Sequence, residues 1–152
     1  MNTKLLLLIF CILFGMNITY GQTTTTKDHK KAILNSHKSV KQKTSAIASD
    51  TVSLKKKQQH SKQIGKDLNT AYSREDSLYN SMDTSKKASL KKKHESIQSN
   101  HKKAIETHKD LDKELSKPQP DSTKVNDYNQ TLQETIQRAN QQYEDERYPE
   151  VF

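Results

Sequence analysis

Residues 90–115 run LKKKHESIQSNHKKAIETHKDLDKEL, and two seven-residue series are threaded through them. Leu90, Ile97, Ala104 and Leu111 form the first; His94, His101, His108 and Leu115 form the second. A seven-residue repeat of this kind is the seam of a helix that packs along other helices, with the first series at d and the second at a. Half of this seam is apolar and half is imidazole. Such a helix is only marginally stable without neighbours to cover it.

The same period recurs on either side of this stretch. Ile33, Val40, Ile47 and Leu54 are spaced by seven, and Ile64, Leu68, Tyr72, Tyr79 and Met82 continue at threes, fours and sevens. The frame then slips by one residue before Leu90, which marks an interruption after Met82. Val125, Tyr128, Leu132, Ile136, Ala139 and Tyr143 form a further helical stripe. No comparable period-two alternation occurs. From Gln22 onward Gly65 is the only glycine, and the three prolines, Pro118, Pro120 and Pro149, all come late. Strands and tight turns have little to build on in such a chain.

The expected fold is therefore all-α: an extended up-down helical bundle or antiparallel coiled coil of about four helices, over 28–48, 51–81, 84–116 and 121–147. Lys117-Pro118-Gln119-Pro120 ends the third, because proline disfavours helix in the residue before it. Asp50-Thr51, Asp83-Thr84 and Asp121-Ser122 each precede a periodic run and suit helix starts, where short polar side chains accept from free amides. The seven-residue spacing also runs straight through Asp50, from Ile47 to Leu54, so a single continuous helix there is the alternative. Ser-Leu-Lys-Lys-Lys occurs at 53–57 and again at 89–93. The likeness fades within a dozen residues, which favours convergent lysine usage over an internal repeat.

Composition sets the thickness of the core. The chain is 152 residues long, 30% hydrophobic and 29% charged, with no tryptophan. That apolar share is too low for a thick globular core. It suits narrow stripes between long helices; the competing outcome is disorder, against which the periodicity argues.

Residues 1–21 have the layout of a secretory leader: Lys4, an apolar run from Leu5 to Phe14, and Thr19-Tyr20-Gly21 before a cleavage point. The mature chain would start at Gln22, with 22–26 a flexible lead-in, 27–147 the helical bundle and 148–152 an acidic-aromatic tail. The apolar run is too short for a comfortable membrane span, so no span is expected in the mature chain. Cys11 lies inside that run after bulky Phe10, a poor context for a lipid anchor. Cleavage would remove the only cysteine, and export without disulfides fits a bacterial periplasm or exterior.

Charge is uneven. Residues 22–117 carry 22 basic and 11 acidic side chains, net +11; from Pro118 on there are three basic and seven acidic, net −4. A basic body thus precedes an acidic end. The lysines cluster at Lys55, Lys56, Lys57, at Lys91, Lys92, Lys93 and at Lys102, Lys103. Lysine without arginine offers loose attraction to polyanions, weakened by salt, rather than bidentate recognition. These residues are candidates for an anionic envelope glycan or lipid, or simply solvated helix faces. Nucleic acid is not an expected partner.

The histidine series is the other candidate. Rungs seven residues apart are about 10.5 Å apart along a helix, too far to share one metal ion. Only His108 has an acidic residue four positions on, Asp112. A metal site built from His94, His101, His108 and Asp112 would therefore need histidines of other helices, such as His29, His37 or His60. Alternatively three seam imidazoles would sense pH near their ordinary range, or would be wet, tolerated polar residues. The tyrosines on the stripes, Tyr72, Tyr79, Tyr128 and Tyr143, are expected as bundle contacts with their hydroxyls at the rim. In the tail, the acids can fold back on the basic body, Val151-Phe152 can enter a partner groove, or the segment frays. Asn129-Gln130-Thr131 matches a glycosylation acceptor in mid-helix.

No G-x-S-x-G, no Gly-rich phosphate loop and no mature cysteine supports catalysis, and no cofactor is expected. The function expected is a non-enzymatic, exported interaction protein: an adaptor, spacer or holdase-like binder of the bacterial envelope, with a protein partner or self-association. A histidine-based metal or pH sensor is the alternative. In size, export and basic helical character the chain is similar to periplasmic holdase chaperones, with no motif residues carried over.

Overall fold

In the computed structural model the backbone is described for residues 3–144 and 148–149, and side chains for 26–144 and 148–149. Four helices follow one another: α1 (Thr3–Ala48), α2 (Leu54–Asn80), α3 (Thr84–Leu115) and α4 (Ser122–Glu144), with no strand among the described residues. The expected all-α class is observed. The break near Asp50 is real, so the seven-residue spacing across it joins two helices and not one. Residues 145–147, expected at the end of the last helix, lie outside the described residues, as do 150–152. α1 starts at Thr3, within the stretch expected to be a leader, whose side chains lie outside the described residues. Among those residues no helix is long and apolar enough to cross a membrane.

Short connections over 49–53, 81–83 and 116–121 make successive helices antiparallel. α2 packs on α1 and α3, and α4 on α3 and α1, so the four close into a square with α1 opposite α3 and α2 opposite α4. The α1–α4 side is the slightest.

The helix starts differ from expectation in one place. Asp83 caps α3, its carboxylate accepting from the Lys86 amide at 2.9 Å. Asp121 accepts from the Thr123 and Lys124 amides at 3.0 and 3.3 Å. α2, however, starts after Ser53, whose side chain makes no cap bond; Asp50 and Thr51 stay in the turn. The first Ser-Leu-Lys-Lys-Lys therefore opens α2, while the second lies inside α3, so the two are not equivalent. Glu114 fastens the last connection. It accepts from the Asp121 amide at 2.9 Å and from Lys117 at 2.6 Å, and the Lys117 partner holds its carboxyl below the usual range.

Each helix buries a three–four seam. In α1 it is Ile33, His37, Val40, Thr44 and Ile47; in α4 it is Val125, Asn129, Leu132, Ile136, Ala139 and Tyr143. In α3 Ile97, His101, Ala104, Leu111 and Leu115 are buried, while Leu90 and His94 are only partly covered. The α2 seam is Ser61, Ile64, Leu68, Ala71, Glu75 and Leu78. Tyr72 and Tyr79 flank it, half-buried.

The core falls into two clusters. One, toward the α1–α2 and α3–α4 turns, is aliphatic and includes Val40, Ile47, Ile64, Leu68, Leu111, Leu115, Leu132 and Ile136. The other, toward the α2–α3 turn, holds Ile33, Ala71, Leu78, Ile97, Tyr143 and Tyr148. Between and within this second cluster lie the polar seam residues from which the candidate site is built.

Candidate functional site

His37 of α1 and His101 of α3 meet across the diagonal of the square. Both are fully buried. Their Nε2 atoms are 2.8 Å apart, and Nδ1 of His37 is 2.5 Å from Oδ1 of Asn140 on α4. An amide oxygen only accepts, so His37 Nδ1 carries the proton, its Nε2 accepts, and His101 Nε2 donates. His101 Nδ1 is then left as a buried acceptor without a partner. The bond between the rings needs His37 neutral, whereas His101 donates from Nε2 in either state, and both rings are neutral here. Burial supplies the reason they stay so: it lowers His37 to about 4, and burial followed by the nearby imidazoles of His37 and His94 lowers His101 to about 3. The solvated charge of an imidazolium would be lost there.

Glu75 of α2 lies one layer away, with no exposed surface. Its carboxylate accepts from three sides: from the Tyr143 hydroxyl in a short bond, from the Tyr148 hydroxyl at 2.8 Å, and from His94 Nδ1 at 3.0 Å. Three donors make up for the water that a buried carboxylate loses. Burial and the Glu75 charge push both phenols far above their usual range, so they act only as donors. Tyr79 stacks flat on His94 at 3.9 Å between ring centroids, and Tyr143 meets Tyr148 edge-on at 5.7 Å. Tyr143 also tilts against His37, 6.1 Å between centroids, which joins the two polar groups. The expectation that the tyrosine hydroxyls sit at the rim is wrong for Tyr143: its hydroxyl is in the core.

The third histidine of the series is used differently. His108 Nε2 is 2.7 Å from the Ser61 carbonyl, to which it donates, and Ser61 donates its hydroxyl to Asp112 at 2.7 Å. The ring lies against Gly65: a Cβ there would come within 2.7 Å of His108 Cε1. Gly65, the one glycine after Gln22, is thus the space for an imidazole. Although Ser61, His108 and Asp112 are close, they do not have the order of a nucleophile relay. The carboxylate bonds the serine and not the imidazole, and Nε2 already carries its proton toward a carbonyl.

The four residues named as metal ligands are therefore distributed over three separate settings. His94 joins Glu75, His101 joins His37, and His108 with Asp112 meets Ser61. Among the described residues no group of three or more histidine, cysteine, aspartate or glutamate side chains gathers as a metal cage. His37, one of the histidines a second helix was expected to supply, does come to His101, in a direct hydrogen bond.

The lysines do not merge into one patch. Lys55, Lys56, Lys91, Lys92, Lys102 and Lys103 are exposed and Lys57 and Lys93 half-buried. Because α2 and α3 run antiparallel, Lys55–Lys57 and Lys91–Lys93 lie toward opposite ends of the bundle, with Lys102 and Lys103 between. Lys91 pairs with Glu95 at 3.9 Å on an open surface, a contact worth little.

Two residues that carry the site escape a reading of apolar periodicity. Glu75 is a carboxylate in an otherwise apolar row, and the strict spacing 61-64-68-71-75-78 is the signal that places it in the seam. Tyr148 belongs to no helix, and only its aromatic character marks it. Asn129, the glycosylation candidate, is buried in the α4 seam with both amide atoms unpartnered.

A closed bundle whose polar groups bond to one another defines a helical scaffold. Residues 73–150, just over half of the chain, match the family described as TmcB, TPR repeats, and the chain belongs to that family. The family points to a helical protein–protein interaction module, typically a non-catalytic scaffold. No curated protein and no solved structure matches the chain. The matched region holds the end of α2, the α3–α4 hairpin and the tail. With 32 residues in α3 and 23 in α4, one helix takes up most of the 34-residue period in which a tetratricopeptide unit places two.

Proposed function

We propose that the protein is an exported, non-enzymatic interaction protein of the bacterial envelope, an adaptor, spacer or holdase-like binder. The observation that supports this best is the direction of its chemistry: the histidines, Glu75, Tyr143 and Asn140 bond to each other inside the rod, and lysines occupy its outside. A rod about 48 Å long, from the 32 residues of α3 at 1.5 Å per residue, offers partners long helix faces with scattered exposed lysines. Export rests on the leader-like residues 1–21, with cleavage after Gly21. Two measurements test the proposal. The N-terminus of the protein recovered from outside the cytoplasm is expected at Gln22; recovery of uncleaved cytoplasmic protein contradicts export. At low salt, stoichiometric protein is expected to slow aggregation of an unfolded, acidic outer-membrane protein, and 0.5 M salt to abolish the effect. No protection at excess protein rules out the holdase form.

A second reading is favoured by the His37–His101 pair: the bundle loosens in acid and so reports pH. Two buried neutral imidazoles in a direct bond support it, because adding a proton to each sets two N–H groups against one another. Metal titration to a folded sample separates this from metal sensing. Binding of zinc, copper or nickel that disappears in a His94/His101/His108→Gln variant would favour the metal. For an anionic glycan or lipid, the spread of Lys55–Lys57, Lys91–Lys93 and Lys102–Lys103 supports only diffuse, salt-sensitive attraction.

A further inference from the structure

Tyr148 lies outside the helices and is fully buried, in the core cluster toward the α2–α3 turn. It shares a core cluster with Ile33, Ala71, Leu78 and Ile97, its ring meets that of Tyr143, and its hydroxyl ends on Glu75. It reaches that place from the end of α4 through only three residues, Asp145, Glu146 and Arg147. The seat is thus made by α1, α2, α3 and α4, while the occupant belongs to a segment joined to the bundle by a short charged link. The rim is basic. Lys30 donates to the Tyr143 carbonyl at 2.9 Å, the Glu144 charge acts on Lys30, and Arg74 lies close to His29. Glu144, Asp145, Glu146 and Glu150 give the segment the opposite sign.

We propose that this seat is an exchange site, and that a second copy of the chain fills it by inserting its own Tyr148 over Glu75 while giving up its seat in return. This deepens the interaction reading above by naming the partner. The complementarity is already demonstrated for one sequence, that of the tail: an aromatic ring for the apolar wall and a phenol hydroxyl for the buried carboxylate. Exchange changes no contact in the seat. It changes only which copy the link comes from, and the resulting pairing is reciprocal and closed. In cis the short link keeps the local concentration of Tyr148 high, so the single chain predominates when dilute and the exchanged pair forms when copies are crowded.

The test shortens the link. Three residues span about 10 Å at most, so deleting 145–147 prevents the tail from returning to its own bundle without preventing insertion into another. Sedimentation velocity is expected to show dimers of this variant at micromolar concentration and monomers when Tyr148→Ala is added; a folded, monomeric 145–147 deletion overturns the proposal. If the deletion does not fold by circular dichroism, full-length Tyr148→Phe serves instead, since it keeps the ring. Its own tail has lost the bond to Glu75, so an amidated peptide of residues 144–152 should bind it about tenfold tighter or more than it binds the wild-type chain. The same peptide with Tyr148→Ala should not bind. Equal affinity for both chains, or none up to millimolar peptide, overturns the proposal. A peptide that binds while the folded deletion stays monomeric also overturns it, in favour of a different tyrosine-bearing partner. None of these outcomes depends on aggregation suppression, so failure there leaves exchange standing, and the reverse.

Discussion

The two ends of the bundle are built on one spacing rule and hold together by different forces. Toward the α1–α2 and α3–α4 turns most seam positions are aliphatic, Val40, Ile47, Leu68, Leu111, Leu132 and Ile136, side chains that need only be covered, with Thr44, Ser61 and Asn129 between them. Toward the α2–α3 turn the same positions bring in His37, Glu75, His101 and Tyr143, each of which needs a particular partner. An aliphatic seam tolerates sliding and repacking; the polar one is right in a single register or is costly. The aliphatic end thus contributes area and the polar end specifies which helices lie opposite. His37 to His101 fixes α1 against α3, and Tyr143 to Glu75 fixes α4 against α2.

The largest effect is expected at Glu75→Ala. Two hydroxyls and an imidazole lose their acceptor, and each buried unsatisfied group costs about 1–3 kcal/mol. The summed loss is expected to unfold the polar end or leave it molten, seen as lost near-ultraviolet dichroism with helix content retained. An unchanged urea midpoint would mean that the carboxylate is solvated. Leu132→Ala in the aliphatic end comes next. A cavity at a fully buried leucine costs about 2–5 kcal/mol, and its urea midpoint should fall by the same amount at pH 5.5 and 7.5. A pH-dependent loss would show that the two ends are not separable.

Tyr148→Phe is smaller, about 1.5–3 kcal/mol for one hydrogen bond to a charged group, with the ring still packed; a loss as large as that of Glu75→Ala would contradict three shared donors. The smallest effect is at Gly65→Ala. In an open helix interior this change stabilises by about 1 kcal/mol. Here the new methyl meets His108, so no gain or a slight loss in melting temperature is expected. In a His108→Ala background the usual gain should return; a gain without it would show that the imidazole moves aside freely.

These differences also explain how much of the molecule was legible beforehand. The helices could be placed because Ile33, Val40 and Ile47, and Ile97, Ala104 and Leu111, repeat at seven with apolar residues, and packing demands little else of them. The helix ends followed where the cap is a side chain with a bond to make, as at Asp83 and Asp121, and failed at Asp50, where Ser53 starts α2 without one. The candidate site was only half legible. The series His94, His101, His108 was visible, but its meaning depends on which residue of another helix stands opposite, and one sequence does not set that register. His37, Asn140 and Glu75 become partners only through the closing of the square. Tyr148 is legible only from the pocket it enters. The metal expectation treated the histidines as one group, whereas the fold distributes them to three neighbourhoods.

The His37–His101 bond holds the polar end in register while His37 is neutral, and burial keeps both rings neutral. Their folded values, about 4 and about 3, lie below the ordinary value of 6.5. Between these limits the unfolded chain binds protons that the folded chain does not, so stability is full above about pH 6.5 and falls as pH is lowered. Each group contributes a slope of up to about 1.4 kcal/mol per pH unit. His94 lies on α3 beside Glu75 and Asp76 of α2, and His29 of α1 near Arg74 and Asp28 is also lowered by burial, so the comparison must be made against a variant that lacks only the pair. The measurement is the urea unfolding free energy of wild type and of His37→Leu/His101→Leu from pH 7.5 to 5.0. The predicted result is a wild-type stability that falls steadily below pH 6.5 and a variant whose curve is flatter by about two proton equivalents. Parallel curves for the two proteins would contradict it.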